Sequence, residues 1–399
     1  MRIAVVTETY PPEVNGVART MGQVVEALLG RGHRVELTRP ARRADRRADA
    51  SAGERLTEHF VRAIPIPRYS ELQMGLASPA ALASRWRVTR PDVVHVVTEG
   101  PLGWAAVIAA RRLRIPLSSG FHTNFHAYSR HYGIGLLSGA VNGALRALHN
   151  RCDATIVPTN EMRDALAARG FDRLAVVGRG IDLGLFNPGR RSSTLRAQWG
   201  CAGDEPVVLH VGRLAPEKNL RVFVAAALAV RKARPDARVV LVGDGPDAAA
   251  LRAAHPGFVF AGTRRGADLA AHYASADLFL FPSETETFGN VTTEALASGL
   301  AVVAYDYAAA HQHIVDGESG LLVPLGDAEG FDAAACSLAR SVQTIARLRR
   351  NAVQVASRLG WPRVIDDFER VLAGVVAHSR WSLGGHARNA GGFPNQEIV

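Results

Sequence analysis

Two carboxylates, Glu286 and Glu294, stand on either side of a Phe-Gly-Asn turn in the segment SETETFGNVTTEAL, Ser283 to Leu296. The eight-residue step between them rises at most roughly 12 Å in a helix, at ~1.5 Å per residue. That separation does not suit carboxylates that share one proton or converge on one metal. It suits two acceptors for two hydroxylated groups on one elongated ligand. Between them the backbone N–H groups of Phe288, Gly289, Asn290 and Val291 are available to an oxyanion or to sugar hydroxyls. Glu294 has a second reading, compensation of the dipole at a helix start, worth about 0.3–1 kcal/mol.

Two cations occupy a second segment, HVGRLAPEKNL: Arg213 just past a buried strand and Lys218 five residues on, near the next helix start. At the carboxyl end of a parallel strand such a pair suits a diphosphate. The alternative is that Glu217 and Lys218 form a solvated first turn. A third candidate lies after the first strand, where ETYPPEVNGVAR brings Gly16 to a helix start. There glycine either lets a phosphate approach free N–H groups or only supplies a turn angle.

The elements that must hold these residues alternate along the chain. Short β-branched runs, among them RIAVVTE, HRVELTR, DVVHVVT, PVVLHVGR, ARVVLVGD and DLFLFPS, are separated by alanine-rich helical stretches. This is the pattern of βαβ units around parallel sheets buried on both faces. About six strands fall in each half, predicting two Rossmann-like, doubly wound α/β domains. Their boundaries are expected at residues 1–186 and 187–360, with the break near FNPGRRSS, Phe186 to Ser193. NVTTEALASG reads as a helix from near Asn290, closed by Gly299. A mobile tail is expected over 379–399.

At 399 residues, 47% of them hydrophobic, the chain is long enough for two cores. No apolar run reaches about 18 residues and no signal-peptide pattern opens the chain, so a cytoplasmic location is expected. Cys152, Cys201 and Cys336 are scattered singly, which excludes a disulfide framework or a CxxC metal site and reads as small buried residues. The net charge of +10 is uneven: 25 of the 47 Lys/Arg and 16 of the 37 Asp/Glu lie in residues 1–186. Arg39, Arg42, Arg43, Arg46 and Arg47, followed by Arg55, Arg62 and Arg68, form the densest part of this basic surface. A solvated loop, nucleic acid and an anionic membrane compete to explain it. Nucleic acid is disfavoured, because no zinc-finger, RRM-like or helix-turn-helix pattern accompanies the charge.

The segment ETETFGNVTTEALASG resembles the E-x7-E signature of retaining nucleotide-sugar glycosyltransferases of family 4, which have the GT-B fold of two domains around a cleft. GRLAPEK, VGRGID, VGDGP and the amino-terminal PPEVNGVAR stand in that family's order and spacing, from about Arg2 to Arg370. The resemblance implies that Glu286 contacts donor-sugar hydroxyls and Glu294 the ribose. Arg213 and Lys218 would neutralise the diphosphate, with Gly16 approaching it from the other domain. His122, in GFHTNFHAY, matches the family histidine beside the sugar. His126 and Tyr128 are weaker candidates on the acceptor side. Gly262, Thr263 and Arg264 would lie along the base. The family more often has Gly-Gly where this chain has Asn15-Gly16, so Asn15 could add a side-chain contact. As in relatives, a helix over 361–378 would cross back to the first domain, and the halves would close over the donor through a hinge near Phe186–Ser193.

No DxD pair is placed for a metal, and the two cations can replace one, so no metal and no cofactor is expected. Retention follows from the resemblance. With Glu286 assigned to hydroxyls, no carboxylate is left as a covalent nucleophile, and front-face attack is the expectation. ETYPPEVNGVART with FHTNFHAYSR looks most like enzymes using GDP-mannose on glycolipid acceptors. Similar segments occur in enzymes that make glucosyl or sulfoquinovosyl diacylglycerol from UDP-sugars. In relatives the first domain receives the acceptor, which would give its basic surface an anionic membrane to bind. A GT-B sugar-nucleotide epimerase is the alternative of another class.

Overall fold

The structure is a computed structural model that describes residues 1–13, 15–41, 55–66, 69–122 and 138–384. His126, Tyr128, Arg42, Arg43, Arg46, Arg47, Arg68 and the tail beyond Gly384 lie outside the described residues. Among the described residues the chain forms two compact units, 1–122 with 138–178 and 364–384, and 179–363. The stretch Phe186–Ser193 therefore lies within the second unit, where Phe186 and Ile181 join a buried cluster with Trp199 and Tyr273.

In the first unit β1 (Arg2–Val6), β2 (Arg34–Pro40), β3 (Leu56–Ile66), β4 (Tyr69–Leu76), β5 (Val93–Val96), β6 (Leu117–Gly120), β7 (Ala154–Val157) and β8 (Leu174–Val176) form one sheet, ordered β4-β3-β2-β1-β5-β6-β7-β8. All neighbours are parallel except β3 and β4. That antiparallel pair is absent from the sequence-based list of strands. Its Pro65 and its charged residues Glu58 and Arg62 mask the β-branched pattern that marks the other strands. The pair also corrects the reading of Arg39 as surface charge. Arg39 belongs to β2, is 6% exposed, donates to Glu58 at 3.1 Å and lies 4.7 Å from the Phe60 ring centroid.

The helix Trp361–Gly384 packs on this unit from Val364 onward. Arg31 donates to Asp366 at 2.6 Å, and the His95 and Phe368 rings meet edge-on at 5.0 Å.

The second unit holds β9 (Val207–Val211), β10 (Arg238–Val242), β11 (Val259–Gly262), β12 (Leu278–Phe281), β13 (Ala301–Tyr305) and β14 (Leu321–Val323) in the all-parallel order β11-β10-β9-β12-β13-β14. Alternate residues of one strand feed different cores: Val208 joins the cluster around Phe223, while Val207, Leu209 and Val211 join the one around Tyr273. Burial on both faces explains why the apolar runs are continuous rather than alternating. All three cysteines are free, with Cys152 and Cys201 buried. No helix among the described residues is long and apolar enough to cross a membrane.

Candidate active site

Ligands of doubly wound sheets bind beyond the carboxyl ends of the strands, and the loops there are tied to one another in this protein. After β9, Leu214 N donates to Asp244 O and Asp247 N to Leu214 O, each at 3.0 Å, so the loops after β9 and β10 are bonded to each other. Gly243 permits the contact, since a Cβ on it would collide with the Gly212 carbonyl. On the other side Asn219 Nδ2 donates to Glu284 at 2.8 Å and Thr285 Oγ1 to the Glu217 carbonyl at 3.2 Å. Loops after β9 and β12 are thereby fixed in register.

That lacing brings Lys218 onto Glu286. Lys218 sits in the 3-10 turn Pro216–Lys218, separated from the helix Leu220–Ala233 by the left-handed Asn219, and its Nζ donates to Glu286 Oε1. Ser283 Oγ donates to the same oxygen at 2.7 Å, and Tyr307 OH to the Glu286 backbone carbonyl at 2.8 Å. The side chains of Lys218 and Glu286 are only 18% and 15% exposed, so the solvated-turn reading fails for Lys218. Arg213 stands apart from this pair. Its side chain is 53% exposed and reaches Glu217 at 3.5 Å.

The helix Asn290–Ala297 begins after Gly289, whose φ of 93° lies in the left-handed region that disfavours a side chain. This turn presents the first N–H groups of the helix. The Phe288 carbonyl accepts from Ala309 N at 2.7 Å, which pins the turn from the helix Ala308–His313 that follows β13. Glu294 lies beyond the first turn of its helix, is 6% exposed and accepts from Tyr273 OH at 2.9 Å. Its position favours a specific acceptor role over dipole compensation.

At the end of β11, Gly262 has φ 71°, Thr263 is exposed, and Arg264 donates to the Ala261 carbonyl at 2.9 Å and to Asp268 at 3.2 Å.

Two further residues at this end of the sheet escaped the sequence reading. Arg179 is half-buried with its guanidinium carbon 6.0 Å from the Phe288 ring centroid. Burial lowers its pKa to about 10, against the opposing pull of Glu286. The signal available was an arginine between two glycines directly after a strand. His210, on β9, is fully buried against Phe223 and Phe281 at 4.9 and 6.0 Å, and burial lowers its pKa to about 4.

In the first unit Asn15 caps the helix Gly16–Gly30. Its Oδ1 accepts from Ala18 N at 2.8 Å, and its Nδ2 donates to Thr9 at 2.6 Å and Glu13 at 3.0 Å. Both ends of the Asn15 amide are thus used inside the turn, leaving Gly16 at the first helical position. His122 follows β6 and folds back over Gly120, where a Cβ would collide with its Nε2. The second unit therefore gathers Lys218 and Ser283 around the Glu286 carboxylate, with Arg179 beside Phe288, while Asn15, Gly16 and His122 belong to the first.

Residues 14–185 match the family model described as Glycosyltransferase Family 4, and residues 205–341 the model described as Glycosyl transferases group 1. A GDP-mannose-dependent alpha-mannosyltransferase of Mycolicibacterium smegmatis is 36% identical over 93% of this chain and 98% of that protein. The chain belongs to glycosyltransferase family 4. This glycosyltransferase is also similar to the sulfoquinovosyl transferase of Arabidopsis thaliana, at 33% identity over 67% of this chain and 54% of the plant protein. Its fold is that of the sucrose-phosphate synthase from Thermosynechococcus elongatus, with a TM-score of 0.77, 20% identity and coverage of 94% of this chain and 99% of that one. The protein is a GT-B hexosyltransferase, which sets aside the epimerase reading.

Proposed function

We propose that this glycosyltransferase moves mannose from GDP-mannose onto a glycolipid or another membrane-associated acceptor, with retention and without a metal. The observation that carries the donor site is the Lys218–Glu286 pair, a cation and a carboxylate fixed side by side at the carboxyl ends of β9 and β12. Similarity to mannosyltransferases named for GDP-mannose supports the choice of donor.

Glu286 accepts from the sugar hydroxyls and Glu294 from the ribose. Gly262, Thr263 and Arg264 lie along the base. Arg213, Lys218 and the N–H groups of Phe288, Gly289, Asn290 and Val291 offset the charge that builds on the departing diphosphate. In the first unit Gly16 offers its helix N-terminus to the diphosphate, and His122 orients the sugar. Because Glu286 is engaged at the hydroxyls, the acceptor oxygen attacks from the leaving-group face, and the leaving phosphate oxygen takes its proton. Product NMR should show the alpha linkage, and EDTA should leave the rate unchanged. A beta linkage would overturn the mechanism.

The acceptor reading adds peripheral binding to an anionic membrane on the cytoplasmic side. One face of the β3–β4 pair supports it. Arg62 and Leu76 are cross-strand partners there, and Phe60 and Leu76 are 42% and 38% exposed. Flotation with anionic but not neutral liposomes is the expected result. A second reading, a UDP-sugar-dependent diacylglycerol glycosyltransferase, is favoured by the similarity to a sulfoquinovosyl transferase. Titration with GDP and UDP separates the two, with GDP expected to bind more tightly.

A further inference from the structure

Arg179 is the first residue of the second unit after Gly178, and its backbone is held on the carboxyl side. Ile181 N donates to Leu359 O at 2.9 Å, and a Cβ on Gly180 would press on Trp361. The guanidinium lies beside Phe288, which is itself 1% exposed. Its Nε is buried and has no hydrogen-bond partner among the described residues.

Two other arginines of this unit, Arg196 and Arg349, are tied into the scaffold instead. Arg196 donates to the carbonyls of Ser275, Gly203 and Glu205 and to Asp277, and Arg349 to the Gly299 carbonyl and Asp277. Burying a guanidinium N–H without a partner is costly, and native proteins retain such groups where a ligand completes them. Phe288, against which Arg179 lies, follows Glu286 by two residues in the same loop, and Glu286 Oε1 already accepts from Lys218 and Ser283. Arg179 thus adds a second positive charge beside a loop whose carboxylate is already occupied. A planar fork of N–H donors in that position fits an oxyanion with several acceptor oxygens, above all a phosphate.

We propose that Arg179 is a third cationic anchor of the donor site, donating to the sugar-side phosphate of the bound nucleoside diphosphate sugar. The proposal rests on the donor-site assignment above: Glu286 marks the sugar end of the ligand, and Arg179 stands at that end.

Calorimetric titration of the full chain with GDP, UDP and their monophosphates tests it, comparing the wild type with Arg179→Met and Arg179→Lys. In Arg179→Met the affinity for the preferred diphosphate should fall by about 10–100-fold, and for its monophosphate by less than about 3-fold. Arg179→Lys should fall between, and millimolar guanidinium should restore part of the diphosphate affinity of the Met variant. Unchanged diphosphate affinity in Arg179→Met overturns the proposal and leaves the donor site standing. An equal fall for diphosphate and monophosphate also overturns it, marking Arg179 as a support of the Phe288 turn. A wild type that binds none of these nucleotides removes the donor-site assignment and the proposal together.

Discussion

Lys218 and Glu286, 68 residues apart in the chain, meet through Nζ and Oε1 because the loops after neighbouring strands β9 and β12 are hydrogen-bonded to each other. The two charges neutralise each other. On the roles proposed above, a bound donor draws Glu286 toward hydroxyls and Lys218 toward phosphate.

Lys218→Met should therefore lower kcat/KM by about 100-fold or more, the scale of losing one donor to developing charge. Glu286→Ala should chiefly lower kcat and relax the choice of sugar, with nucleotide affinity within about 3-fold of wild type. Steady-state kinetics with two sugar nucleotides checks both.

Glu294 is buried and held by Tyr273, so Glu294→Ala should chiefly weaken nucleotide binding, by about 10-fold or more. Tyr273→Phe removes one orienting hydrogen bond and should cost less. Direct titration with GDP reads the difference, and unchanged affinity in Glu294→Ala would break the division of roles between the two glutamates.

Asp277 is a prediction about the scaffold. It is 7% exposed and accepts from Arg191 at 2.9 Å, Arg349 at 2.8 Å, Arg196 at 3.0 Å and Val207 N at 3.0 Å. Asp277→Ala leaves three guanidinium groups without their carboxylate at the amino ends of β9 and β12. It should cost about 3–5 kcal/mol, measured as a shift in the urea midpoint.

Acid should destabilise the protein through its buried neutral histidines. Burial lowers the pKa of His210 from 6.5 to about 4, so the unfolded chain binds its proton first as pH falls. The contribution is fully present above about pH 6.5 and is lost as pH falls toward about 4, up to about 3 kcal/mol for this residue. His210→Phe should flatten the fall of Tm over that window, as thermal melts across the pH range will show.

The strands that carry the site were legible because each is buried on both faces and announces itself as a β-branched run. Glu286, Glu294, Arg213 and Lys218 were legible as groups at strand ends and loop starts, but their partners were not. Tyr273 reaches Glu294 from 21 residues upstream, and the Lys218–Glu286 contact depends on β9 lying beside β12, which no local spacing records. Arg39 misled because its burial depends on Glu58 and Phe60 of β3, a strand whose pattern is broken by proline and charge. Arg179 was hidden for a similar reason: only the fold places it against Phe288.

The central claim is transfer from GDP-mannose to a lipid-linked acceptor, and incubation with radiolabelled GDP-mannose or UDP-glucose plus a membrane lipid extract tests it directly. Label entering the lipid phase from GDP-mannose, and lost in Lys218→Met, is the result expected. Label entering only from UDP-glucose, or none entering the lipid phase from either donor, would contradict it.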